Sequence, residues 1–235
     1  SAAYSSLMKS KNGLSGSIIL GIDTSLNNCY VSLSCGAILL AEKASSQIRE
    51  KSENLFSLVD QVFNEANLEL KSLTAIGVCV GPGNFTGLRI GISAAKGLAM
   101  ALKIKVFGVS RFIALVESNE PTIAIIKSTN EIFYTQEFIN QKPSKSPTSQ
   151  TLTELMSARY SPNTIISGDS AITLSQSLNL RLGMSESIPS AKHISSKILG
   201  YLENGGPSPA PLYVREPDAK LPKQPVPIIL SPNGQ

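Results

Sequence analysis

A chain of 235 residues that is 42% hydrophobic is long enough to bury one large core or two small ones. Its formal net charge of +4 is scattered, with Lys9 and Lys11 supplying two of the positives, so it lacks the basic stripe of a direct nucleic-acid binder. Three cysteines without CxxC spacing suggest neither a disulfide framework nor a zinc site, one histidine, His193, excludes paired-histidine metal chemistry, and no run of 18 apolar residues is present to span a membrane.

Residues 1–17 lack the apolar stretch of a secretory signal and read as a flexible start or tag remnant. Ile18 to Ile22 is an apolar run that ends in Asp23-Thr24-Ser25. Alternation through Tyr30–Cys35, a turn at Gly36 and a second apolar run to Ala41 predict three consecutive strands. Asp23 is open to two readings, an Asx turn or an anion-site carboxylate. Ser52 is placed to cap a helix running to Ala66. Leu55, Leu58, Val59, Val62 and Ala66 form its core stripe, and Phe56 and Phe63 widen the apolar face. Two extra phenylalanines fit either a neighbouring helix of the same chain or an exposed patch for a partner.

The stretch Ala75–Leu102 reads as strand, glycine-rich turn and helix. Ile76, Val78 and Val80 lead into Gly81-Pro82-Gly83, and from Leu88 the period changes to that of a helix. Leu88 stands where a P-loop lysine would be wanted, and Thr86 where GxGxxG needs its third glycine, so neither phosphate fingerprint is met. Two readings remain. Gly81, Gly83 and Gly87 serve a tight turn with positive φ, or the turn and helix N-terminus hold an anion through Asp23, Thr24, Gly81, Gly83, Thr86 and Gly87. Gly91, Ala95 and Ala99 continue a spacing of four from Gly87, which suits close approach of this helix to its own sheet or to another helix.

Lys105–Val109 is strand-like and Arg111–Glu117 a short helix. Thr122–Ile126 and Ile132–Ile139 form a strand pair that opens a second lobe, and the segment QKPSKSPTSQ after Asn140 is a loop. Leu152–Tyr160 is helical, Thr164–Ile166 a short strand, Leu174–Leu180 helical, and Ile194–Leu202 the last helix. Beyond Glu216, five prolines in the last 19 residues argue against packing.

GPGNFTGLRIGISAAKGLAMAL closely resembles the signature of the bacterial TsaB (YeaZ) family, partner subunits of the machinery that makes threonylcarbamoyladenosine in tRNA. ILGIDTS near the start, REKSENL before the first long helix and PLYVRE near the end extend the likeness. It implies an α/β fold of the actin-like ATPase and sugar-kinase type in two lobes, the second reduced. The boundaries are then 18–110 and 111–216, with 217–235 a flexible tail. It also implies a non-catalytic subunit, cytoplasmic, that binds and activates a catalytic TsaD paralogue with the ATPase TsaE joining. It would homodimerise when alone and meet tRNA only indirectly. The contact surface expected on this basis is Leu55, Phe56, Val59 and Phe63 with Gly91, Ala94, Ala95 and Leu98.

The chain departs from the family at Arg49-Glu50-Lys51, where REH is usual, and at Lys127-Ser128-Thr129, where Asp-Ala-Arg is common. Both changes remove a titratable group of the kind a hidden active site would need. A small-molecule kinase or ATPase would need paired carboxylates, and Asp169 is the one candidate partner for Asp23. A metallopeptidase, suggested by the glycoprotease-like naming of the wider family, is opposed by the single histidine. No cofactor is expected beyond weak or vestigial nucleotide binding.

Overall fold

The computed structural model describes residues 16–45, 51–129, 131–161, 163–185 and 191–214. The expectations for residues 1–15, for the Ser52 cap and for the tail 217–235 lie outside the described residues and side chains. The first sheet holds β1 (Ile18–Asp23), β2 (Cys29–Cys35), β3 (Ile38–Ser45), β4 (Leu73–Gly81) and β5 (Lys105–Ser110). Their spatial order is β3-β2-β1-β4-β5, antiparallel on the β2 side of β1 and parallel on the β4 side.

Helices cover both faces of this sheet. α1 (Lys51–Ala66) and α2 (Phe85–Leu102) lie on one face, where Leu55, Val59, Ile92 and Ala95 meet Ile18, Leu20 and Ile22. On the other, Ile194 and Ile198 meet Ile19, Ala75 and Phe107. Burial on both faces explains why β1 is an unbroken apolar run and does not alternate. The two isoleucines belong to the last helix, Ala191–Asn204. A boundary at residue 110 assigns that helix to the second lobe, yet its apolar stripe is taken up by the first sheet.

The second sheet has β6 (Thr122–Lys127) at its centre, flanked by β7 (Ile132–Ile139) antiparallel and β10 (Ile165–Gly168) parallel. β8 (Lys142–Pro143) and β9 (Thr148–Thr151) both pair with β7, and β11 (Arg181–Leu182) pairs with β10. The segment expected as a loop therefore carries two short edge strands. Their polar, proline-containing sequence is what an edge tolerates and what hides a strand from periodicity. α4 (Leu152–Ser157) and α5 (Ala171–Leu178) cover one face through Leu155 and Leu174.

The first connection between the lobes is a single helical turn, α3 (Arg111–Ala114), shorter than the expected Arg111–Glu117. Ser110 caps it by accepting a hydrogen bond from the Ile113 N–H at 3.2 Å. Leu115 and Val116 then leave the helix to join Phe112, Ala124 and Phe138 in the second core. With α3, α4 and α5 placed, Ala191–Asn204 is α6. After it, residues 205–214 form a strap along the first sheet. The Gly108 N–H donates to the Pro207 carbonyl, and the Leu212 N–H donates to the Val80 carbonyl at 2.7 Å.

Candidate functional site

Two loops meet where β1 and β4 end. Asp23, Thr24 and Ser25 are each at most 1% exposed. Asp23 Oδ1 accepts the Ser25 N–H at 2.8 Å, so the carboxylate makes an Asx turn. Thr24 Oγ1 donates to the Gly87 carbonyl at 2.7 Å. The Ser25 carbonyl accepts the Asn84 N–H at 2.6 Å. Asn84 is the N-cap of α2, and its side chain accepts the Gly87 N–H at 2.8 Å.

These bonds give each glycine a separate cause. Gly81 alone of the three turn glycines has the left-handed backbone, with φ +106°. The positive φ expected at Gly83 and Gly87 is absent. Gly83 is small because a Cβ there would lie 2.3 Å from the Ser25 carbonyl oxygen. Gly91 is small because a Cβ would lie 2.2 Å from Thr24 Oγ1. So the spacing of four reflects close packing of α2 on the end of β1.

The six residues expected at an anion site are thus brought together but do not form an open cradle. The Thr24 hydroxyl and the Gly87 N–H are bonded within the protein, and Thr86 is exposed on the first turn of α2. Beside the loops opens a polar cleft of about 650 Å³ between the two lobes. Of the six, only Gly83 lines it. Asn28, Asn84, Arg111, Lys127 and Asp169 do so too. Lys127 and Ser128, where the chain departs from the usual family sequence, stand on its wall.

Asp169 follows the turn at Gly168, whose φ is +113°. Its Oδ2 accepts the Lys127 N–H at 2.7 Å, and its Oδ1 is buried without a hydrogen-bond partner among the described residues. Burial pushes its pKa up, opposed by that hydrogen bond and by the charges of Arg111 and Lys127. Asp23 does not reach the cleft wall, so the two carboxylates are not presented there as a pair. Arg111 is 4% exposed and donates from Nη1 to the Pro82 carbonyl at 3.3 Å. Sequence reasoning missed it, because an arginine at a helix start reads as solvated. Cys79 is fully buried, and burial, with the Asp23 charge, drives its thiol pKa far up, which leaves it unreactive. Among the described residues no group of three or more His, Cys, Asp or Glu side chains could hold a metal.

The expected contact surface is corrected more sharply. Leu55, Val59, Phe63, Gly91 and Ala95 are buried in the first lobe's own core. The cause is that α1 and α2 lie over one sheet face and turn these residues toward it. Ala94 and Leu98 are half-buried against the same core, and Phe56 is 50% exposed. On the outer side of α2, Gly97 lies three residues from both Ala94 and Met100. Met100 is 78% exposed, and a Cβ on Gly97 would meet no heavy atom within 4 Å. At the N-terminus of α2, Tyr213 of the strap stacks on Phe85 at 5.5 Å, and the Arg89 guanidinium sits 3.8 Å from the Phe85 ring centre.

Residues 38–159 match the protein family described as TsaD, tRNA N6-adenosine threonylcarbamoyltransferase. The chain is 33% identical over 100 residues to the tRNA threonylcarbamoyladenosine biosynthesis protein TsaB of Buchnera aphidicola from Schizaphis graminum, covering 43% of this chain and 47% of that one. It therefore spans about half the length of this curated relative. Among solved structures it is similar to an uncharacterized Pseudomonas aeruginosa protein described as similar to the peptidase YeaZ. The TM-score is 0.67 at 22% identity, over 85% of this chain and 100% of that one. The ROK hexokinase of Thermus thermophilus follows at TM-score 0.51 and 12% identity, over 80% of this chain and 99% of that one. The fold is therefore the actin-like α/β type shared with sugar kinases.

Two substitutions separate core from surface on α2. Ala95→Arg places an unpaired cation in the first core, a cost of about 3–5 kcal/mol or more that is comparable to the whole stability of a domain. The chain is expected to lose its cooperative melt by circular dichroism. Gly97→Arg points to open space and gains up to about 1 kcal/mol of helix propensity, so its melt is expected to hold or rise. Similar melting of the two variants would refute this orientation of α2.

Asp169 generates a pH-dependent expectation. A carboxyl whose folded pKa is raised penalises the fold above that pKa, and the penalty disappears below the unfolded value. Asp169→Asn keeps an acceptor for the Lys127 N–H and removes the charge. It should raise the melting temperature at neutral pH, with the gain shrinking as pH falls through the raised pKa. A gain that persists unchanged at acid pH would contradict the assignment of burial as its cause.

Proposed function

The chain belongs to the TsaB (YeaZ) family, and from that premise we propose that it serves tRNA threonylcarbamoyladenosine biosynthesis as a non-catalytic subunit that binds and activates a TsaD-type catalytic paralogue. The observation that carries this reading is the inward direction of the loop chemistry. Thr24, Asn84 and Gly87 bind one another and leave no open phosphate cradle. By contrast, α1 and α2 leave the apolar side chains of Phe56 and Met100 exposed to solvent, with Ala94 and Leu98 half-buried. Exposed apolar side chains that meet one conformation of a partner better than another shift it toward that conformation, which is all that activation requires. A TsaE-type ATPase joins the same assembly, tRNA is met through the complex, and the isolated chain pairs with itself. The location is cytoplasmic on this reading. Among the described residues no helix is long and apolar enough to cross a membrane.

A second reading, a kinase or ATPase using the cleft, is favoured by two buried carboxylate oxygens without a hydrogen-bond partner among the described residues, Asp169 Oδ1 and Asp23 Oδ2. ATP turnover by the pure chain that is abolished by Asp169→Asn would establish it.

Light scattering on the chain mixed with a TsaD-type subunit tests the first reading. The wild type is expected to form a heteromeric complex. Phe56→Glu and Gly97→Arg should each weaken it about tenfold or more, with unchanged circular dichroism, by removing an exposed apolar anchor or filling the gap above Gly97. Complexes unaffected by both variants would remove α1 and α2 as the contact.

A further inference from the structure

A second cavity, of about 920 Å³, lies where the strap, α6 and the β7–β8 turn meet. Its wall is mostly apolar, with Ile113, Tyr201, Pro207, Pro211 and Leu212. Among the described residues no acidic side chain contributes to it, and its charged residues are Lys142 and Lys197. Lys197 Nζ donates to the Val116 carbonyl and to Gln141 Oε1, the latter at 3.4 Å. An ammonium carries three N–H donors, so one remains for the cavity. Among the described residues no carboxylate lies within 4.0 Å of Lys197. Burial pushes the Lys197 pKa down, and the more distant Glu117 charge acts against this.

A partly desolvated cation without an anion on the wall of a mostly apolar cavity defines its own complement. We propose that this cavity binds a small organic anion with a flat apolar body, of the aryl carboxylate or sulfonate class, held by Lys197 with Lys142 at the mouth. The anionic group takes the third Lys197 donor and neutralises its charge. The apolar body lies among Tyr201, Pro207 and Pro211, whose ring faces suit a planar guest. The site draws on both lobes, since Lys197 comes from α6 on the first sheet and Lys142 from the edge of the second.

The full chain is titrated with two fluorescent probes that share a ring system, anionic anilinonaphthalene sulfonate and neutral phenylnaphthylamine. The sulfonate is expected to bind saturably, one per chain. Lys197→Met should weaken it about tenfold and leave the neutral probe unchanged. Lys142→Ala, an exposed position, should weaken the sulfonate alone by about threefold. It keeps the charge test available if Lys197→Met fails to fold by circular dichroism. Gly200→Leu, at a wall position whose Cβ meets no heavy atom within 4 Å, should block both probes in a folded chain. Non-saturable binding, probe affinity untouched by Gly200→Leu, or lysine variants that affect both probes alike would each overturn the proposal.

Discussion

The hydrogen bond from the Thr24 hydroxyl to the Gly87 carbonyl is the constraint on which the rest of the first lobe depends. It joins the end of the central strand to the first turn of α2 and works only if α2 comes close enough. That closeness is set by Gly91, where any side chain would collide with Thr24. Once α2 is held there, Ile92, Ala95 and Ala99 are forced onto the sheet face that α1 also covers. Buried hydrogen bonds of this kind each contribute on the order of 1 kcal/mol net. Their larger effect is on specificity, because breaking one would leave a buried polar group unsatisfied.

The lobes are coupled by few elements, each with a physical role. α3 is one turn long and its Arg111 is buried, with the guanidinium reaching back to the Pro82 carbonyl of the glycine loop. That charge also draws on Asp169 across the cleft, so the loop, the linker and the second lobe share one electrostatic environment. The strap closes the arrangement from the other side through Leu212 on Val80 and Tyr213 on Phe85. The cleft is therefore polar and built from both lobes, while the exposed apolar side chains Phe56 and Met100 lie on the helices of one lobe. The two surfaces are separate in place and in chemistry.

Much of the first lobe was legible in the sequence because its elements are strongly periodic or flanked by clear turn residues. The run Ile18–Ile22, the stripe on α1 and the change of period after Gly87 each predict what is found. The site was less legible because the same small residues serve two causes that a sequence cannot separate. Gly91 and Ala95 looked like a seat for a second helix. Gly91 answers to Thr24, a residue remote in sequence, and Ala95 to the sheet. Phe63 and Phe56 looked alike, and only packing turns one inward and the other out. Arg111 gave no signal at all, since nothing local predicts that a linker arginine will be buried. The edge strands β8 and β9 were hidden by the polar composition that edges favour.

That Thr24 and Gly91 form one packing unit is tested most directly by a double-mutant cycle in urea denaturation. Gly91→Ala alone should be strongly destabilising, by about 1–3 kcal/mol, because the added methyl overpacks the contact with Thr24 Oγ1. In a Thr24→Ala background that oxygen is gone, so the same substitution should cost much less, with a coupling above about 0.5 kcal/mol. If the two costs simply add, Thr24 does not set the approach of α2, and the small residues of the motif owe their size to something else.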